Sequence, residues 1–438
     1  MSRKVFLSFL GGGTYRPCTY TRDGLKFEDE QFIQVATLKY LMSKELWCEN
    51  DVAYIFLTQG AHEANWVDEG ITLGDRKPKV GAVGLEHRLK ELNPPFPIHP
   101  VFGVKDGNDE DEILEIFSKV YECINEGDTL YLDITHGFRY LPMLMVVLGN
   151  YAKFLKKVVV KSITYGNFEF IGSEKPIINL LPLDSIQDWA YAAGQCLECG
   201  NVDRLVSLGK AGLVPILKAS NGLDEDAKNL RSYLDRLKDV IEERRMCRGL
   251  EIISSKSFMQ MKKLGNVVQH TVIPLMTPIL KGIDATIETF DDNSNMKNGL
   301  SAAIWCYKNG LYQQSATLLE ESIVSIICER NSLPFDDRSM RELVNSAFMI
   351  KFTGLDESLW SKNCIMNKDT MRILLADEIL CEKELLRLFD MISKLRNDYN
   401  HAGMRKVPEP ANSSNLKRRL YAQLMSAAEI FGIETNCN

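Results

Sequence analysis

The sequence predicts an α/β domain built on a parallel-rich, doubly wound sheet, followed by a wholly helical remainder. Over the first 183 residues, short apolar segments rich in β-branched side chains alternate with segments of helical periodicity. After Asp184 the strand signals fade and helical spacing takes over. The 438 residues are 45% hydrophobic and 25% charged, enough for two or three domains with real cores.

The elements follow in order. Lys4–Leu10 (KVFLSFL) is an apolar strand that ends in Gly11-Gly12-Gly13. Glu30–Lys44 has helical spacing, and Val52–Thr58 (VAYIFLT) is a strand followed by Gln59-Gly60. Ile98–Phe102 is a short strand. Glu110–Ile124 repeats apolar residues at 113, 116, 117, 120 and 124, as one face of a helix does. Thr129–Ile134 is a buried-type strand, Pro142–Leu155 a helix and Val158–Tyr165 a further strand. Beyond Asp184, helices are expected at Asp188–Ala219, Asp224–Leu264, Leu300–Lys308, Tyr312–Arg330 and Ser339–Ala347, with a long one ending near His401. The polar stretch Thr286–Asn298 marks a boundary between helical regions.

Composition narrows the function classes. The net charge of −7 argues against strong overall attraction to nucleic acid. One stretch departs from it: Arg387–Arg419 holds eight basic and three acidic residues, a local +5. That surplus fits either a solvated surface or an RNA-facing one. Eleven scattered cysteines do not resemble a disulfide framework, the start lacks a proper signal peptide, and no run is apolar enough to span a membrane. A reducing cytoplasm is expected.

Two groups of residues suggest chemistry. In Leu385–Arg405, the stripe Leu385, Leu388, Phe389, Ile392, Leu395 and Tyr399 faces a core. Asn397 and His401 share another face, about 200° round the helix from Leu395, with Arg396 beside it and Gly403 as the helix stop. Histidine supplies a proton donor or acceptor near neutrality, and arginine supplies fixed charge for a phosphorane-like transition state. A solvated helix end carrying a dipole-favoured histidine fits the same spacing. The second group lies where strands of a doubly wound sheet end, which is where such sheets bind ligands. It comprises Gly11, Gly12, Gly13 and Thr14, then Gln59 and Gly60, then Thr135, His136, Gly137 and Arg139 after Asp133. Glycine-rich turns offer backbone N–H groups to phosphate, although a tight turn alone explains them as well.

Other patterns are weaker. Cys196-x2-Cys199 has no second pair, so no structural zinc is expected. Gly209-Lys210 lacks the rest of a phosphate-binding loop, and Arg16 occupies the last glycine position of a dinucleotide fingerprint. Asp109–Glu112 reads as a helix start.

The two groups together resemble a known family. Arg396-Asn-Asp-Tyr-Asn-His401 is similar to the R-x4–6-H signature of HEPN ribonuclease domains, with Asn397 at the common polar position, and Tyr312–Glu321 resembles the first long helix of such domains. Asp133-Ile-Thr-His-Gly-Phe-Arg-Tyr-Leu-Pro142 closely resembles the D-x-T-H-G-x-R motif of CRISPR-associated CARF–HEPN effectors of type III systems.

The resemblance implies a Rossmann-like CARF sensor over residues 1–183, a helical connector over 184–298 and a HEPN domain over 299–438. It implies activation by cyclic oligoadenylate, with the tetra-adenylate favoured over the hexa-adenylate, and metal-independent cleavage of single-stranded RNA by 2′-OH attack. The catalytic site would be composite, formed by a homodimer or a multiple of dimers. Arg396 and His401 would be its catalytic pair, with Asn397 positioning them. The three strand-end loops, Asp133 and Arg139 included, would hold the ring, with Gln59 set to read an adenine edge. The competing expectation is a ligand-sensing regulator, acting in transcription or assembly, whose HEPN-like dimer is non-catalytic. The charged Arg231–Arg248 stretch raises this, although its acidic residues oppose phosphate contact.

Overall fold

The computed structural model describes residues 2–137, 140–268, 272–287, 290–291, 293–404, 412–433 and 435. The chain forms two compact units, Met1–Asp188 and Trp189–Asn438.

The first unit is built on an eight-stranded sheet among the described residues. Its strands are β1 (Lys4–Leu10), β2 (Cys18–Arg22), β3 (Leu25–Glu30), β4 (Val52–Thr58), β5 (Ile98–Val104), β6 (Thr129–Asp133), β7 (Val159–Gly166) and β8 (Glu174–Asn179). The order is β3-β2-β8-β7-β6-β1-β4-β5. The five strands β7-β6-β1-β4-β5 are mutually parallel, as expected for strands buried on both faces. β1 is buried along Val5–Leu10, and helices on the two sides give the sheet two separate apolar interiors.

The chain leaves β1 toward β4 and β5, then returns to pair β6 with β1 in register Ser8↔Asp133. The strand order therefore reverses beside β1, and the carboxyl ends of β1 and β6 open side by side at the switch point.

Several elements differ from expectation. The β2–β3 hairpin and β8 extend the sheet beyond the parallel core, with β7–β8 and β2–β3 antiparallel. β3 (LKFEDE) is mostly exposed, so it carries no apolar pattern to announce it. A helix at Leu85–Leu92 was also not expected.

The second unit is all helical among the described residues. The expected Asp188–Ala219 helix is instead two helices, Leu181–Cys199 and Asp203–Ala219. Gly200 breaks them with a left-handed φ of +59°, where a Cβ would sit 2.5 Å from the Trp305 ring. The expected Asp224–Leu264 helix is three, Glu225–Arg245, Gly249–Ser254 and Lys256–Val267, with Cys247 and Ser255 at positive φ between them. Periodicity carries across such breaks because the apolar face continues through them. Tyr312–Arg330 is one helix, as predicted, and the long helix ending near His401 spans Lys383–Asn400. One hydrophobic interior runs from Trp189 to Phe431, so residues before and after Asn298 share a core. No helix among the described residues is long and apolar enough to cross a membrane.

Candidate functional site

The first unit brings its three strand-end loops together. A Cβ built on Gly11 would lie 3.7 Å from both the Gly137 nitrogen and the His136 Cβ, and one on Gly12 would lie 3.8 Å from the Ala61 nitrogen. The glycines serve close packing more than open access. A Cβ on Gly11 would meet the Tyr15 hydroxyl at 2.5 Å, one on Gly12 would meet Leu73 at 2.5 Å, and only Gly13 has open space around it. Asn65, which the sequence reading did not single out, ties this loop by donating 2.8 Å hydrogen bonds to the Gly11 and Gly13 carbonyls. Its own carbonyl accepts from Lys79 at 2.9 Å.

Asp133 is buried and engaged from within. Its carboxylate accepts from the Ser8 hydroxyl at 2.7 Å and from the Thr135 hydroxyl and amide at 2.5 and 3.2 Å. Gln34 donates to Ser8 and to the Phe9 carbonyl. Burial pushes the Asp133 carboxyl above the usual carboxylate range, while the Thr135 and Ser8 bonds pull the other way. Its place is therefore behind the loop, fixing Thr135, whose hydroxyl also accepts from the Gly166 amide at 2.8 Å. His136 stacks at a tilt on Tyr15, ring centroids 4.4 Å apart, and burial lowers its pKa to about 4. Its Nε2 is buried without a partner among the described residues.

Gly137 adopts φ +118°, and a Cβ there would meet Leu141 at 2.5 Å, so this turn requires glycine. Thr14 and Gln59 are exposed, and the Gln59 amide donates to Glu63 at 2.6 Å. Gly60 packs under Leu73. Arg139 lies outside the described residues.

The second unit places Arg396, Asn397 and His401 at the end of the Lys383–Asn400 helix. The end is a Schellman cap: Ala402 donates to the Tyr399 carbonyl and Gly403 to the Asp398 carbonyl, both at 3.1 Å. Gly403 does close the helix, but the left-handed position next to His401 is taken by Ala402 at φ +52°.

Arg396 is held by two consecutive carboxylates of the Tyr312–Arg330 helix. Its Nη1 is 3.3 Å from Glu320 and its Nη2 3.1 Å from Glu321. Ser393 donates to Glu320 at 3.1 Å, and Arg341 pairs with the other oxygen of Glu321 at 2.6 Å. Burial raises the Glu320 carboxyl, and the Arg396 charge opposes that rise. His401 is exposed, with no bonded partner for its ring among the described residues, and Asn397 is half-buried.

The glutamates were not identified in advance, although a signal existed. Glu320 falls on the stripe Ala316, Ile323 and Ile327, and a carboxylate on a buried stripe calls for a cation. The basic surplus of Arg387–Arg419 is also smaller in space than in sequence. Lys394 pairs with Asp390, Arg396 with the glutamates, and Lys417 lies over the Tyr312 ring. Arg405 and Lys406 lie outside the described residues. In the Arg231–Arg248 stretch, Arg236 and Lys238 pair with neighbouring acids.

A parallel-rich sheet with its loops gathered at a switch point is an α/β domain of the kind that binds ligands at that edge. Residues 5–174 match the family described as "CRISPR system endoribonuclease Csx1, CARF domain". The chain is also 27% identical over 262 residues to "CRISPR-associated protein MJ1674" of Methanocaldococcus jannaschii, a match covering 57% of this chain and 37% of that protein. The alignment thus spans little more than a third of that relative's length. The CARF match thus covers nearly all of the N-terminal unit, and the chain is similar to a CRISPR-associated protein.

Proposed function

We propose that this protein is a cyclic-oligoadenylate-activated, metal-independent endoribonuclease acting on single-stranded RNA. Residues 1–183 would be the sensor, 184–298 the connector and 299–438 a HEPN catalytic domain. The observation that carries the reading is the Arg396-x4-His401 pair in a CARF-containing chain. The guanidinium is oriented by two carboxylates, and an imidazole free of protein partners among the described residues stands five positions on, at the capped helix end.

In this reading the ribose 2′-oxygen attacks the adjacent phosphorus while the bond to the 5′-oxygen breaks. His401 moves the proton, Arg396 stabilises the charge that builds on the phosphoryl oxygens, and Asn397 keeps the pair in place. The sensor ligand would lie on the loops Gly11–Thr14, Gln59-Gly60 and Thr135–Arg139, with Asp133 fixing Thr135 from behind. Cyclic tetra-adenylate is the favoured ring and cyclic hexa-adenylate the alternative. A second copy of the chain is supported by an exposed apolar row one turn apart on the Leu141–Leu155 helix, Met143, Val147, Tyr151 and Leu155. That helix starts just after the Thr135–Arg139 loop, so a two-fold pairing along it would set two copies of the loop around one symmetric ring.

The test is cleavage of a fluorogenic single-stranded RNA in EDTA, with and without cyclic tetra-adenylate, by wild type and His401→Ala. Cleavage that needs the ligand and His401 is expected. Failure with the tetra-adenylate directs the same assay to the hexa-adenylate, and failure with both would overturn the ribonuclease reading.

A further inference from the structure

The helical unit holds a cavity of about 300 Å³ beside Arg396 that the proposed chemistry leaves unused. Its apolar lining includes Leu250, Ile253 and Leu318, and its polar lining includes Glu321, Asp336 and Arg341. Glu321 links the cavity to the proposed catalytic arginine. One of its oxygens is 3.1 Å from Arg396, and the other pairs with Arg341 at 2.6 Å.

The polar groups indicate what the cavity takes. Arg341 is already engaged by Glu321, the Ser325 hydroxyl at 2.8 Å and the Phe335 carbonyl at 2.7 Å, so it has little to offer an anion. The carboxylate of Asp336 is exposed and bonded by no side chain among the described residues. Asp336 therefore offers the cavity a negatively charged hydrogen-bond acceptor, with the Thr317 hydroxyl in the same lining and apolar walls around it. That combination suits a flat, largely apolar ring bearing N–H donors and does not suit a phosphate. The volume is at the lower end of the roughly 300–1,000 Å³ of small-molecule sites, room for one nucleoside.

We propose that this cavity is a nucleobase pocket for the substrate RNA, with Asp336 selecting the base. The proposal rests on the ribonuclease reading and extends it to specificity. Guanine ranks first, because its N1–H and exocyclic amine face the two oxygens of one carboxylate. Adenine and cytosine each offer one amine. Uracil ranks last, because its single N–H lies between carbonyl oxygens that a carboxylate repels. Arg396 shares Glu321 with the pocket, so a base seated here would lie near the proposed catalytic arginine.

Binding tests this apart from cleavage. Full-length His401→Ala protein, in EDTA with cyclic tetra-adenylate, is titrated against fluorescein-labelled heptauridylate and against the same RNA with one central guanosine. Anisotropy is expected to show about tenfold tighter binding of the guanosine RNA, the discrimination of one good bidentate base contact. Asp336→Asn should bring the two RNAs to within about twofold. Gly249→Leu should do the same by filling the cavity, since Gly249 lines it and a Cβ there meets no atom within 4 Å. Equal affinities in the parent protein, or a preference that survives both substitutions, would overturn the pocket while leaving His401-dependent cleavage by wild type untouched. A guanosine preference in a protein that cleaves no RNA would keep the pocket and remove the ribonuclease. No binding of either RNA would remove the pocket.

Discussion

Replacing Arg396 by alanine is expected to destabilise the helical unit, whatever it does to activity. Glu320 is only 7% exposed and would lose its cation. At an effective dielectric of about 20, charges 3.3 Å apart attract by about 5 kcal/mol, and desolvation of the carboxylate offsets much of that. Removing one partner of a buried pair costs about 3–5 kcal/mol. The Arg396 side chain is 30% exposed and solvent screens it, so about 2 kcal/mol is the reasonable expectation. For a unit of this size that lowers Tm by about 4–8 °C.

The pH dependence gives a sharper signature. Burial already raises the Glu320 carboxyl, and the Arg396 charge is the strongest influence against that rise. Without the arginine the carboxyl rises further. A carboxyl raised in the folded state contributes stability at low pH that is lost as pH climbs through its folded value. The deficit of Arg396→Ala is thus largest at neutral pH and shrinks as the pH falls and Glu320 takes up its proton. Differential scanning calorimetry of wild type, Arg396→Ala and Arg396→Ala/Glu320→Gln between pH 5 and 8 measures it, and the added Glu320→Gln should restore most of the loss. An Arg396→Ala protein as stable as wild type at every pH, or a double variant no better than the single one, would refute the reasoning.

Four further outcomes are expected. Ala402→Gly should stabilise the protein by about 0.5–1 kcal/mol in chemical denaturation, because Ala402 holds a left-handed φ of +52°. Gly137→Ala should weaken binding of cyclic oligoadenylate by calorimetry, since a turn at φ +118° must distort. Asp133→Ala should destabilise the first unit by roughly 1–3 kcal/mol in chemical denaturation, because the Ser8 and Thr135 hydroxyls lose their shared acceptor. His136 should remain neutral down to about pH 4 in an NMR titration. A base whose folded pKa is depressed costs stability as pH falls from its ordinary 6.5 toward 4, and His136→Phe should flatten that slope.

The sequence by itself determined the elements whose pattern is local. β1 and β4 are apolar runs buried nearly along their length, and Tyr312–Arg330 is an uninterrupted helical run, buried round most of its circumference. The Asp133–Pro142 string marked the loop that follows β6, and Gly403 marked the end of the helix that carries Arg396. Tertiary structure decided what depends on distant partners. β3 pairs as an exposed edge strand, and the helical breaks at Gly200 and Cys247 leave the apolar face continuous, so periodicity misses both. Asp133 reads as a ligand residue in its motif, yet pairing of β6 with β1 sets it against Ser8 and turns its carboxylate inward. Arg396 reads as free positive charge, yet Glu320 and Glu321, 76 and 75 positions earlier, hold it. A buried charge is satisfied by whatever the packing of two helices brings within about 3 Å, and spacing along one helix cannot encode that distance.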